Sequence, residues 1–452
     1  MPIAFIYLAI MLIVVCIWFI FLKRPVYEAI LISFISLLTI TGKWTSVGEY
    51  IKVGLETSLI YSMVVFVAMS VLLSKTKIID SAVTIILSLL GRVTGGAGYV
   101  SVIASSFMGA LSGSGPGNVM ATGAITIPAM KKSGFPAELA ANIESNSSYL
   151  GNAIPPSSNI VASLGAFLAL YPQSNLTTGQ FWIVCWGCSL WFVLQRILMV
   201  FAFCKYYKVK PMTKEDCPKL KDAVRVGWKG LLLPIIILIP FVLDFLFKDN
   251  FFTQRLGATG AKYMSSSILY FIAGVASIYA VCVHKNKSQV SMKAIAKMFS
   301  ESIKSISPAI ATCIFGYMIG ALFSDLNVAE NLKDVFMTMN IGRMGIILLI
   351  PLITCFLGMV IPGSSLVVMF GAVFITLFET VGVNPLLAAA MLPSICGVMC
   401  GITPPLALGM YAGMSLAESD FSKTVKNDLW WVLAQYFVEV IILAGFLPIL
   451  GL

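Results

Sequence analysis

Charge is scarce in this chain. Only 11% of its 452 residues are Asp, Glu, Lys or Arg, against about 25% in an ordinary soluble domain. Hydrophobic residues make up 59%. The balance excludes a water-soluble domain and points to an integral membrane protein. Histidine is nearly absent: the one copy, His284, stands beside Lys285 and Lys287 at the end of an apolar run, an interfacial place with no catalytic partner. The ten cysteines are scattered along the chain. Cys396 and Cys400 lie four apart on an apolar segment without a His or carboxylate, which suits small core residues better than a metal site. A Ser-His-acid set, a metal cluster and a phosphate loop are all missing, so enzymatic chemistry has no foothold and no cofactor is implied. The net charge of +10 would suit nucleic acid in a soluble protein. Here the basic residues cluster between apolar runs, as the positive-inside rule describes, and no nucleic-acid partner is expected. The first apolar run, 3–22, has neither a preceding basic stretch nor a following A-x-A, so it reads as a spanning helix and not a cleaved signal.

Long apolar runs are what the chain does have. About 20 residues of helix cross the roughly 30 Å hydrocarbon core, and the runs at 3–22, 26–42, 58–73, 181–204, 230–247, 263–283, 306–323 and 429–450 suffice. Two more, 137–170 and 385–416, are long but interrupted at Pro155, Pro156 and at Pro404, Pro405, giving eight plus two crossings. Two pairs of segments are too short to cross. Residues 99–111 and 119–130, each about 20 Å as helix, are joined by SGSGPGN, and 344–357 and 366–378 are joined by GMVIPGSS. Polar backbone at membrane depth is tolerated only where it lines a protein-enclosed cavity, so both pairs read as re-entrant hairpins. Residues 45–57 and 292–305 read as amphipathic arms, and 80–90 and 328–339 as short interfacial helices, each followed by Gly-Arg.

The interruptions are matched. Pro362, Gly363, Ser364 and Ser365 answer Pro116, Gly117 and Asn118, and Thr403, Pro404 and Pro405 answer Ile154, Pro155 and Pro156. From residue 116 to 155 is 39 positions, and from 362 to 404 is 42. With Lys23 and Arg24 placed inside, the N-terminus lies outside. Lys75, Lys77, Lys131, Lys132 and the eight basic residues between 205 and 229 then also fall inside. The first hairpin opens inside and the second outside, so the halves are inverted. Two interrupted apolar segments at corresponding places in two such halves mark the binding site of a secondary transporter.

The stretches SGSGPGNVMATGAITIPAMKKSGF, AANIESNSSYLGNAIPPS and LLAAAMLPSICGVMCGITPPLALGMYA resemble the large membrane subunit of a TRAP transporter, the DctM-like permease. The resemblance extends more weakly from about Leu55 to Asp428. It implies a cation-coupled elevator in a bacterial inner membrane, in which an all-α transport body with two hairpins and two broken helices slides against a scaffold. It also implies a small membrane subunit, an extracytoplasmic binding protein, an organic acid such as a C4-dicarboxylate or sialic acid as cargo, and sodium as coupling ion. The expected division is scaffold at 1–57, a first transport half at 58–180 (hairpin 99–131, broken helix 137–170), scaffold with a basic loop at 181–305, a second transport half at 306–417 (hairpin 344–379, broken helix 385–417) and a final scaffold helix at 428–450.

Sodium must exchange its water for oxygens, and unwound backbone supplies carbonyls. Each proline pair removes two donors and frees carbonyls one turn back. The first ion site is expected from Ser112, Ser114 and Asn118 with Gly151, Asn152 and Ile154. The second is expected from Gly358, Ser364 and Ser365 with Gly397, Gly401 and Thr403. Ser157 and Asn159 begin the outer half of the first broken helix and offer free N–H groups to a substrate, and Gly115 and Gly117 allow it to approach closely. Asn118 and Ser364 also suit helix caps. Glu144, seven residues into the first broken helix, is either a carboxylate braced by Asn146, Ser147 or Ser148, or a cation or proton relay. Alternatives of other kinds are a dicarboxylate- or citrate-type carrier that needs no binding protein, a channel, and a membrane enzyme.

Overall fold

A computed structural model describes residues 3–56, 61, 64–65, 68–69, 72–73, 76, 78–112, 115–283, 291–338, 341–359 and 361–452. Those residues are almost entirely helical, with no strand among them. Among the described residues, six helices are long and apolar enough to cross a membrane, and eight shorter helices are also apolar. His284 and Ser114 lie outside the described residues.

Both expected hairpins are present. The first arm of the first hairpin runs through Gly96–Val100, a π-helical turn at Ser101–Ser105, and Ser106–Ser112, and its second arm is Gly115–Lys132. The second hairpin pairs Arg343–Gly358 with Gly363–Thr380. Both second arms start earlier than the sequence suggests. Pro116 and Gly117 are already helical, because a proline in the first turn gives up an N–H that has no helical partner there anyway.

The two broken helices stop at the proline pairs. Ala137–Leu150 passes through a single 3-10 turn, Gly151–Ala153, and the outer half resumes at Ser158–Leu170. In the second, Pro385–Leu392, the π-helical Pro393–Val398 and Met399–Ile402 precede the break, and Leu408–Ala417 follows it. A residue before proline is sterically barred from helical ψ. Ile154 (φ −103°, ψ 128°) and Thr403 (φ −88°, ψ 122°) are accordingly extended. Both Pro-Pro peptide bonds are cis. Residues 139–150 are buried without exception, although they include Asn, Glu and Ser, so this polar face looks into protein.

The first amphipathic arm is helical over Val47–Glu56, and the second is continuous with the span after it in one helix, Met292–Asp325. No glycine or proline lies between 292 and 307 to end the ladder. The two segments expected as short interfacial helices are helical over Ile78–Leu90 and Val328–Thr338.

Two of the helices expected as scaffold make contact with the broken helices. Thr178–Tyr207 and Phe421–Ala444 each follow a broken helix, and they pack on the broken helices and on one another. Their amphipathicity is inverted. Leu190, Leu194, Leu198 and Phe201 on one, and Leu429, Leu433 and Phe437 on the other, face outward. Arg196, Gln435 and Glu439 are buried.

Candidate functional site

Each hairpin meets a broken helix backbone to backbone. Gly151, at the first break, lies against the Gly109–Ala110 peptide with no room for a Cβ, and Gly109 in turn lies against the Ser148 carbonyl. At the second break, a Cβ on Gly363 would stand 2.5 Å from the Cys396 oxygen and 2.5 Å from the Gly397 Cα. Gly358 is equally tight against Cys400. Only glycine permits such approaches. They put the freed carbonyls of each break beside a hairpin tip.

The breaks also meet one another. Asn152 donates its Nδ2 to the Gly397 carbonyl at 3.3 Å, and a Cβ on Gly397 would stand 2.7 Å from the Asn159 amide. Farther out, the Ser163 hydroxyl donates to the Ala389 carbonyl. Gly397 thus touches the second tip and both asparagines of the first break.

Glu144 sits between the first hairpin and the first broken helix. Its Oε1 accepts from Thr122 (2.5 Å) and Ser148 (3.0 Å), and its Oε2 from Ser101 (2.7 Å), Ser105 (3.0 Å) and Thr126 (2.5 Å). Four of these five hydroxyls come from the two hairpin arms, and the π-helical turn presents Ser101 and Ser105 together. Gly123 faces the Glu144 side chain across the interface. Ser148 is the expected partner; Asn146 and Ser147 turn elsewhere, Ser147 to the Ile143 carbonyl. The arrangement is that of a brace.

The family described as Tripartite ATP-independent periplasmic transporter, DctM component, matches residues 5–450. The chain belongs to this family. It is thus a polytopic membrane permease of the TRAP type, and not an enzyme. Similar proteins include the C4-dicarboxylate TRAP transporter large permease DctM of Vibrio cholerae, 22% identical over 83% of this chain and 82% of that one. The sialic acid TRAP transporter large permease SiaM of the same organism is 21% identical over 87% and 85%. Among solved structures, the fold is shared with the Alcanivorax borkumensis YdaH transporter, whose crystal structure is described as revealing an unusual topology: TM-score 0.63, 15% identity, 91% of this chain and 90% of that one.

In this DctM-family permease the first expected ion set is partly gathered. Gly151 adjoins the Gly109–Ala110 peptide of the helix that ends at Ser112, and the Ile154 carbonyl accepts the Ser157 N–H. Asn152 instead crosses to Gly397. Asn118 is inside its helix, so it caps nothing; its Nδ2 donates to the Ser105 carbonyl and the Ser148 hydroxyl, each at 2.8 Å. In the second set, Gly358 and Gly397 stand at the tip, while Ser364 and Ser365 lie in the first turn of Gly363–Thr380, with Pro362 in the cap position that Ser364 was expected to fill. The Thr403 hydroxyl is turned back to the Met399 carbonyl at 2.8 Å.

Gly401 belongs elsewhere. The Tyr149 ring fills a socket walled by Gly115, Gly401 and Gly409, tying the first hairpin tip to both sides of the second break. Gly115 therefore faces an aromatic ring, and Gly117 is helical. The Ser157 hydroxyl accepts the Ile160 N–H at 3.3 Å and donates to the Asn152 carbonyl at 2.5 Å, so Ser157 is a helix cap. Tyr149 and Arg196 are residues that sequence reasoning passed over. An arginine inside the apolar run 181–204 was itself a signal. Nothing local marked Tyr149, whose glycine partners lie up to 260 residues away (409 − 149).

Proposed function

We propose that this permease imports a small organic anion, a carboxylate, in symport with sodium, with the N-terminus on the outer face. Its partners are a small membrane subunit and an extracytoplasmic binding protein. The cations bind where Gly151 meets the first hairpin and where Gly397 meets the second, and the anion binds beside Asn152, Asn159 and Gly397. The observation that carries this reading is the matched pair of glycine-only contacts between each tip and the nearest break. Freed carbonyls suit a hard cation, and the start of Ser158–Leu170 presents N–H groups of the kind that favour an anion. The names of the similar permeases, a C4-dicarboxylate one and a sialic acid one, support a carboxylate cargo.

The reading extends to the motion. The hairpins and broken helices slide as one body against the helices before the first hairpin and those from 220 to 325. We place Thr178–Tyr207 and Phe421–Ala444 in the moving body, because a buried polar network joins them to both broken helices. Sliding along that seam would strand its polar groups. The test is uptake into vesicles holding the permease, its small subunit and the binding protein. A sodium gradient drives accumulation of the carboxylate, and potassium does not. Uptake indifferent to sodium contradicts symport, and full uptake without a binding protein moves the permease to the binding-protein-independent class.

A further inference from the structure

The seam between the last helix and the broken helices is charged. Asp428 and Glu439, both on Phe421–Ala444, are 1% and 0% exposed, and Arg196 on Thr178–Tyr207 is 0% exposed. Arg196 hydrogen-bonds neither carboxylate. Its Nε donates to the Asn146 carbonyl at 3.3 Å, and its Nη1 to Gln435 Oε1 at 2.9 Å, to Gln195 and to the Phe192 carbonyl. Asn146 Nδ2 donates to Asp428 Oδ1 at 2.8 Å, and Gln435 Nε2 to Glu439 Oε1 at 2.9 Å. Ser394, in the π-helical turn of the second broken helix, donates to the same Glu439 oxygen at 3.0 Å. One cation faces two carboxylates, so with both carboxyls ionised the group carries a charge of −1 (one positive, two negative) within an apolar helix.

The hydrogen bonds show the same deficit. Four buried acceptors here, Asp428 Oδ2, Glu439 Oε2, Asn142 Oδ1 and Asn146 Oδ1, have no protein donor, against two unpartnered donors, Arg196 Nη2 and Trp431 Nε1. Both asparagine amides are fixed in orientation, since each Nδ2 donates to an oxygen: Asn142 to the Thr424 carbonyl, and Asn146 to Asp428 and the Asn142 carbonyl. Among the described residues no other charged group closes the balance. Cys355, Cys396, Cys400 and Tyr436 face the carboxylates from the second hairpin, the second broken helix and the last helix itself. Arg343 reaches only the Ala444 carbonyl at the far end, and Lys423 pairs with Glu138 at the near end, 3.9 Å apart. A buried charge without compensation is strongly destabilising, and acceptors in excess of donors call for a positive species.

We propose that Asp428 with the Asn142 and Asn146 oxygens forms a cation site, separate from the hairpin contacts, that takes one positive charge, a proton or a sodium ion. Glu439, eleven residues (about 16 Å) farther along the same helix, acts on it only through the shared Arg196 charge. The test is the melting midpoint of the purified permease in lipid nanodiscs, measured against pH at fixed sodium and against sodium at fixed pH with choline as replacement. The wild type is compared with Asp428→Asn and Glu439→Gln, each of which removes the surplus negative charge in place. If a proton fills the site, the wild-type midpoint falls as pH rises, and both variants flatten that slope. If sodium fills it, the wild-type midpoint climbs with sodium at constant pH, and the variants lose part of that climb, keeping what the hairpin sites contribute. Identical pH and sodium responses in all three proteins overturn the proposal, whatever the hairpin sites do. If neither variant folds, infrared difference spectra of the wild type read the carboxyl groups. A carboxyl change on pH or sodium steps supports the site, and no change overturns it.

Discussion

Replacing Glu144 by glutamine removes a charge and converts one acceptor oxygen into a donor. Five hydroxyls donate to this carboxylate, two to Oε1 and three to Oε2. Whichever oxygen becomes the amide nitrogen, at least two hydroxyls then face an N–H. Hydrogen bonds to a charged acceptor contribute about 1.5–3 kcal/mol each, so two lost bonds amount to about 3–6 kcal/mol before relaxation. Threonine and serine hydroxyls can turn to accept the new N–H, which leaves about 2–4 kcal/mol. Because four of the five donors belong to the first hairpin, the loss falls on the joint between hairpin and broken helix. Melting followed by thiol reactivity of the buried cysteines in Glu144→Gln is expected to begin well below the wild-type temperature. Uptake at permissive temperature should be reduced without any change in its pH profile. A variant as stable as the wild type refutes the brace. Loss of pH-dependent transport with stability intact would make Glu144 a proton carrier instead.

Gly151→Ala forces a Cβ into the Gly109–Ala110 backbone and is expected to abolish sodium-driven uptake. Gly274→Ala, in a helix with nothing near the added carbon, should keep activity and gain about 0.5–1 kcal/mol of stability; equal behaviour of the two would remove the tip contact from the mechanism. Tyr149→Ala empties a buried aromatic site at a cost of about 3–5 kcal/mol. Gly401→Ala collides with the same ring, so the double variant should be less unstable than the sum of the singles, as a thermal double-mutant cycle would show. Lys132 hydrogen-bonds Asp216 at 2.9 Å and holds that carboxyl below its ordinary value, helped by Thr213. The tie is therefore complete above the usual carboxylate range and is lost as pH falls through the lowered value. Proteolysis of the 208–219 segment should accelerate on acidification in the wild type and be fast at every pH in Asp216→Asn.

The hairpins and the breaks were legible because glycine, proline and serine clusters have no place in a lipid-facing helix. Ile154 and Thr403 had to be extended, since each precedes a proline. The tips were misjudged by a few residues because Pro116 and Gly117 look like a loop in sequence yet fit the first turn of a helix. The side-chain assignments fared unevenly for a different reason. Ser157, Thr403 and Asn118 are polar residues whose nearest unsatisfied partners proved to be backbone or neighbouring hydroxyl groups, and local sequence does not say which partner wins. Tyr149 and the Arg196 seam depend on elements far apart in the chain. The seam nonetheless left a trace: arginine, aspartate and glutamate inside or at the edge of apolar runs that lipid alone would not tolerate.

Cations held where each hairpin tip meets a broken helix would be visible as density. A structure determined in sodium, set against one determined with choline in its place, tests that binding most directly. A sodium-dependent peak ringed by backbone oxygens is expected beside Gly151 and another beside Gly397, both gone in choline. Identical density in the two conditions at both places would contradict it.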